Sequence, residues 1–221
     1  MKEKKSTAAP PRIDRRRART RAALLRAGLA LLAHRNVDGL SVDEIVAAAD
    51  VAKGSFYNHF ADKEMFAREI GGAVRRQAEA AVQRDNVGIE DPALRLARAL
   101  CCFVRFAIEH PDSAQVLWRL NSGATMADAP VNRGLRDEVS QVSKSAALSV
   151  LNIETGVLLV MGAIIIAMRH VLEERVVTPP ATVATRMSAG MLRSLGLTPK
   201  RAELLANAAA KTIFGRPVRR E

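Results

Sequence analysis

At 221 residues, 48% hydrophobic and 26% charged, the chain has the bulk and composition of one large or two modest globular domains. Its net charge of +11 is uneven: ten Lys and Arg stand in residues 1–26 against Glu3 and Asp14, which puts +8 of the excess there. Two adjacent cysteines, Cys101 and Cys102, exclude a disulfide framework, and the basic start leads into no apolar signal stretch, so a cytoplasmic protein is expected.

Residues 1–17 read as a basic, disordered arm suited to an anionic polymer or a membrane surface. Leu24, Ala27, Gly28, Leu31 and Leu32 then recur at the spacing of an amphipathic helix, which should stop near Arg35-Asn36 with Asn36 as a left-handed cap. Ser41-Val42-Asp43-Glu44 reads as a capping box opening a short helix with Val42, Ile45, Val46 and Ala49 on one face. That helix should end at Asp50, and a third should begin near Ala52-Lys53. Asp62 caps a fourth, with Phe66, Ile70 and Val74 inward.

Residues 85–91 read as a linker, and Asp91-Pro92 as an N-cap followed by Pro at the first helical position. That helix should run to His110 and stop at Pro111. A shorter helix holds Trp118, residues 121–130 form a loop, and further helices are predicted over 131–149, 155–174, 181–195 and 199–212. The uncharged run Thr155–Met168 is shorter than the roughly 18–20 residues of a spanning helix, so no membrane is expected as partner. The predicted fold is all-α, of about nine or ten helices. An N-terminal three-helix helix-turn-helix unit (18–78, motif 41–60) precedes a larger helical bundle (79–221).

The stretch "DVAKGSFYNHFADKE" (50–64) concentrates three of the eight aromatic residues, Phe56, Tyr57 and Phe60, within five positions. On a helical wheel Phe56 and Phe60 fall together, towards Leu31, Val42 and Ile45. Gly54, Ser55 and Asn58 fall opposite, with Tyr57 and His59 on the flanks. The rings anchor a helix too short to stand alone, and the other side stays small and polar. Gly54 inside a helix costs about 1 kcal/mol against Ala, and close approach of the backbone to a ligand would offset it. Such a surface suits a DNA major groove: Tyr57 and His59 reach phosphates, and Lys53, Ser55 and Asn58 are candidates for base edges.

The segment "TRAALLRAGLALLAHRN…GLSVDEIVAAADVAKGSFYNHFADKEMF" resembles the N-terminal DNA-binding domain of the TetR family of bacterial transcriptional regulators, over roughly residues 18–78. Ser41-Val42, Ile45, Ala49, Val51, Lys53-Gly54, Phe56-Tyr57, His59-Phe60 and Lys63-Glu64 all fall in register. The resemblance implies phosphate contacts from Ser41, Tyr57, His59 and Lys63. Three positions depart from the family pattern: Asp50 and Asn36 stand where glycines are common, and Ala52 replaces a Ser/Thr cap. Asp and Asn tolerate the left-handed region, so both turns should survive.

The resemblance further implies a homodimer that binds a near-palindromic operator and is released by a small-molecule effector, with no cofactor. Arg15, Arg16, Arg17, Arg19 and Thr20 are expected to add phosphate or minor-groove contacts. In the bundle, Gly156, Val160, Ala163 and Ala167 form a small-residue stripe. With Val183, Met187, Gly190 and Met191 they are predicted to build a four-helix dimer seam from 155–174, 181–195 and their copies; an intramolecular core helix is the alternative. Candidate lining for an effector pocket is Cys101, Phe103, Phe106, Leu117, Trp118 and Met126. Cys101 shares an apolar face and reads as filling. Cys102 lies on the stripe of Arg95, Arg98, Arg105 and Glu109, whose guanidinium groups could lower its pKa and make it redox-active.

No catalytic set is marked. His34, His59, His110 and His170 have no metal-ligand spacing, and neither Gly-x-Ser-x-Gly nor a phosphate-cradling glycine loop occurs. The expected function is a sequence-specific DNA-binding repressor of this family, cytoplasmic and nucleoid-associated when bound to DNA. The alternatives are an activator of the same family, or a basic helical protein that binds DNA or membrane surfaces without sequence preference.

Overall fold

A computed structural model describes residues 12–120, 128–145 and 152–215, and all regular structure among them is helical, as predicted. The chain divides into two compact units, Met1–Ile70 and Gly71–Glu221.

The first unit holds α1 (Arg12–His34), α2 (Val42–Ala48), α3 (Lys53–Tyr57) and the opening turns of α4 (Lys63–Asn86). Helix α1 starts at Arg12, inside the stretch expected to be a disordered arm; from there to His34 the sequence is rich in Arg, Ala and Leu, the strongest helix formers, with no Pro. Asn36 is also corrected. It sits extended (φ −77°, ψ 157°) because a 3-10 turn, Val37–Gly39, begins directly after it.

Both halves of the capping box are present. The Glu44 backbone N–H donates to Ser41 Oγ at 3.2 Å, and the Ser41 N–H donates to Glu44 Oε2 at 2.9 Å. At the other end of α2, Asp50 takes the left-handed conformation (φ 53°). Val51 N–H then bonds the Val46 carbonyl and Asp50 N–H the Ala47 carbonyl, a Schellman stop built on Asp rather than Gly. Ala52 gives α3 no side-chain cap. The rings of Phe56, Phe60 and Phe66 stack edge-on or tilted, with centroids 4.8–5.5 Å apart, and all three are buried. Gly28 of α1 lets α4 come close: a Cβ there would collide with the Phe66 ring and lie 2.6 Å from Ile70 Cδ1.

The second unit takes the rest of α4 with α5 (Pro92–Glu109), α6 (Pro111–Arg119), α7 (Arg133–Ser145), α8 (Ile153–His170), α9 (Pro180–Ser194) and α10 (Pro199–Phe214). Proline occupies the first position of α5, α6, α9 and α10, where its missing N–H costs nothing. Helix α5 is the centre of the bundle, packed by α7, α8, α9 and α10. Leu100, Val104, Val160, Leu192 and Ile213 are fully buried between them.

Two expectations fail here. The linker 85–91 is shorter than predicted: α4 runs on through Asp85 and Asn86, and Gly88 (φ 76°) makes the turn. The small-residue stripe of α8 is also internal to the protomer. Val160 and Ala167 lie in the core, and a Cβ on Gly156 would come 2.6 Å from Val139 Cγ1 of α7. Val183 and Met191 of the predicted seam are buried the same way. The exposed side of α8 is the opposite face, with Leu158, Leu159 and Ile166 outward and open space around Gly162. At 18 residues and mean hydropathy 1.6, α8 is long and apolar enough to cross a membrane by composition, longer than the run foreseen. Its packed face is that of a core helix.

Candidate nucleic-acid interface and cavity

Helix α3 is only five residues long, so its presentation depends on what lies beneath it. Phe56 and Phe60 point into the ring cluster, and the side facing away carries Lys53, Gly54, Ser55, Tyr57 and Asn58. Tyr57 is 56% exposed. Among the described residues, a Cβ built on Gly54 meets nothing within 4 Å. None of them therefore requires a glycine at that point, although helix propensity disfavours it.

Several sequence-predicted residues are tied down. Lys53 Nζ pairs with Asp43 at 2.8 Å, and that hydrogen bond raises its pKa. The Ser41 hydroxyl donates to Glu44 Oε2 at 2.9 Å while accepting from the Glu44 N–H. Lys63 Nζ donates to the carbonyls of Asp38 and Leu40, each at 3.4 Å, bracing the connection before α2. His59 is half-buried; burial first, then Arg17 and Arg21, push its pKa down, which favours the neutral imidazole.

Two basic residues of α1, Arg17 and Arg21, reach the same place. Arg17 Nη2 donates to the Asn58 carbonyl at 3.4 Å, and Arg21 pairs with Glu69 while its guanidinium lies 5.4 Å from the centre of the Phe60 ring. Arg15, Arg16 and Arg19 are exposed, and Thr20 is half-buried.

The second unit contains a cavity of about 440 Å³. Phe103, Leu117 and Trp118 line it, with Leu96, Met161 and Ile164. Cys101 and Phe106, expected alongside them, are not among its lining residues. Cys101 is buried against Ser188, and Phe106 stacks on His110 at 5.0 Å. Met126 lies outside the described residues.

The α5 stripe bearing Cys102 is not a thiolate-stabilising surface. Cys102 is buried and donates to Asp85 Oδ2 at 3.4 Å; burial, then that carboxylate, push its thiol pKa well up. Burial likewise raises the Cys101 thiol to about 11. Arg105 is shared between Asp85 (2.8 Å) and Glu109 (3.9 Å), and its Nη1 donates to the Ile213 carbonyl (2.9 Å).

Sequence reasoning missed Asn86 and Asp85 because "DNVG" reads as a turn. The apolar recurrence Val74, Ala78, Ala81 and Val82 would have carried the helix to within one turn of them. It also missed Arg75, Glu79, Arg95 and Glu138 at the cavity. Arg75 Nε pairs with Glu79 at 2.7 Å, and Arg95 Nε with Glu138 at 2.8 Å.

Residues 24–70 match the family described as bacterial regulatory proteins, tetR family. Over 90 residues the chain is 37% identical to the HTH-type transcriptional repressor DhaR of Mycobacterium sp. (strain GP1). That match spans 40% of this chain and 43% of the repressor, so less than half the length of that relative is covered. The fold is shared with a gamma-butyrolactone receptor (ArpA-like protein) at TM-score 0.65 and 17% identity, covering 89% of this chain and 99% of the other. It is also shared with RolR in complex with resorcinol, at TM-score 0.56 and 22% identity, covering 87% and 95%.

Proposed function

We propose that this chain, whose residues 24–70 match the tetR family of bacterial regulatory proteins, is a sequence-specific DNA-binding repressor whose C-terminal bundle binds a small effector. The observation that carries the reading is Gly54. It sits on the outward side of a helix pinned by buried Phe56 and Phe60, in open space, where an alanine would fit and would favour the helix. The missing side chain makes sense if another surface comes against the backbone there, as the floor of a major groove would.

In this reading Tyr57, His59 and the Ser41–Lys63 end of the motif position the head on phosphates, while Ser55 and Asn58 face base edges. Lys53 exchanges its exposed Asp43 partner for DNA. Arg15, Arg16, Arg17 and Arg19 extend the contact along the backbone. Two copies bind successive major grooves about one turn apart. They pair through the outward face of α8, where Leu158, Leu159 and Ile166 surround the open space at Gly162, together with α9 at Gly190. An effector that binds better when the heads are spread shifts the population away from DNA. Such a regulator works in the cytoplasm, on the nucleoid when bound.

The test compares wild type with Gly54→Ala for binding to the DNA upstream of the protein's own gene and to scrambled DNA. The variant should be more stable by up to about 1 kcal/mol in thermal unfolding and yet bind its operator several-fold more weakly. A stabilised variant with undiminished DNA affinity, or wild type without preference for its upstream region, would overturn the reading.

A further inference from the structure

We infer that the effector is an uncharged, largely apolar molecule that donates one hydrogen bond, from a hydroxyl or an N–H, to Asn86 Oδ1; this rests on the reading of the bundle as an effector domain. Asn86 lines the cavity, and its Oδ1 is shut off from solvent without a hydrogen-bond partner. The other end of the same amide is committed, because Nδ2 donates to the Arg95 carbonyl at 3.2 Å. The oxygen is thus the atom left over. A buried acceptor without a donor bears a desolvation cost, which a hydroxyl or N–H of a molecule in the cavity removes once the Asn86 side chain shifts to bring Oδ1 onto the cavity surface.

The charges on the wall are already matched. Arg75 holds Glu79 at 2.7 Å and Asn132 Oδ1 at 3.2 Å. Arg95 uses four of its five N–H groups: its Nε meets Glu138, its Nη1 the carbonyls of Ile89 and Glu90, and its Nη2 Gln141 Oε1 at 2.9 Å. A carboxylate ligand would have to displace one of these glutamates, and a cation one of the guanidinium groups, after losing its own hydration. Apart from Gln83 and Asn132 the remaining wall is apolar, with Phe103, Trp118 and Met161 offering ring faces and a pliable thioether. The buried polar atom without a partner on this mostly apolar bed is Asn86 Oδ1.

The experiment uses the full chain and three probes of one shape: 4-tert-butylphenol, its methyl ether 4-tert-butylanisole, and 4-tert-butylbenzoate. Affinities come from calorimetry, and emission of Trp118, the single tryptophan of the chain and a wall residue, reports occupancy of the cavity. The phenol should bind roughly five- to tenfold tighter than the ether, the range of one neutral hydrogen bond, with the benzoate weakest. Asn86→Ala should remove the phenol's advantage and leave the ether unchanged. Ala99→Phe, which places a ring at the wall, should weaken all three. If Asn86→Ala does not fold, the wild-type ranking still decides.

Equal affinity for phenol and ether, tightest binding by the benzoate, binding by none of the three, or an advantage that survives Asn86→Ala overturns the inference. DNA binding is measured separately, without probe. A failed ranking beside intact operator preference sinks only the effector class, and a sound ranking without operator preference sinks the regulatory reading.

Discussion

In the N-terminal unit, the bonds that start α2 and tie α3 to it join residues close in sequence, Ser41 with Glu44, Arg35 with Glu44 and Lys53 with Asp43, while Arg17, Arg21 and Lys63 add longer ties. The C-terminal unit is fastened across long spans, with Arg75 reaching Asn132, Arg95 reaching Glu138 and Arg105 reaching Ile213. The difference follows from what each unit builds. Helix α3, five residues long, is held in one pose by a local ring cluster and two tight turns. The cavity takes its walls from separate helices, so its chemistry comes from residues that no local pattern associates. The head resembles a motif, and the bundle resembles a fold.

That contrast can be broken most directly at Phe56. The ring is fully buried and touches both Phe60 and Phe66. Phe56→Ala should cost about 3–5 kcal/mol, comparable with the whole stability of a small unit. The head should melt far below the rest. Helicity followed by circular dichroism should then show two transitions, with the near-ultraviolet signal and emission of Trp118 following only the upper one. If Trp118 moves with the lower transition, the two units unfold as one block, and local fastening is not what holds the head.

A smaller effect of defined sign is expected at Gly28. Alanine there gains about 1 kcal/mol of helix propensity, but its methyl group collides with Phe66 and Ile70. Overpacking of that kind costs about 1–3 kcal/mol, so Gly28→Ala should lower the melting temperature of the head. The same change at Gly54 raises it. Two glycines of one unit thus answer oppositely, because one faces a ring and the other faces open space. A stabilising Gly28→Ala would show that α1 and α4 shift apart easily, and would weaken the view of a rigid head.

What could be read from the sequence tracks the same division. Ser41 and Glu44, the Phe56 and Phe60 pair, and the left-handed Asp50 all lay within reach of periodicity and cap chemistry, and the structure places them as expected. Asn36 was misjudged because its conformation is set by the 3-10 turn that follows, which no spacing announced. On α8 the helix was legible and its orientation was not: a helix apolar all round does not say which side meets its own core. Only the proximity of Gly156 to Val139 decides it. Cys102 failed for a related reason. Its arginine neighbours on the stripe are real, but Arg105 is turned to Asp85, a residue hidden in an apparent linker.

The smallest effect isolates charge from geometry in the capping box. Arg35 first, through its hydrogen bond, and then the Ser41 N–H and hydroxyl hold the Glu44 carboxyl at about 2, against its ordinary 4.5. A carboxyl held lower in the folded than in the unfolded chain adds stability that is complete above the unfolded value and fades as pH falls towards the folded one. Glu44→Gln keeps a side-chain acceptor of the same length and removes the charge. Its melting temperature should therefore lie below wild type at neutral pH, and the gap should close between about pH 4.5 and pH 2. All other carboxyls titrate alike in both proteins, so the difference reports Glu44 alone. Because the pair is exposed, added salt should shrink the neutral-pH gap as well. A gap independent of pH and salt would mean that α2 is started by hydrogen-bond geometry, with the Arg35–Glu44 charge pair contributing nothing to the motif it adjoins.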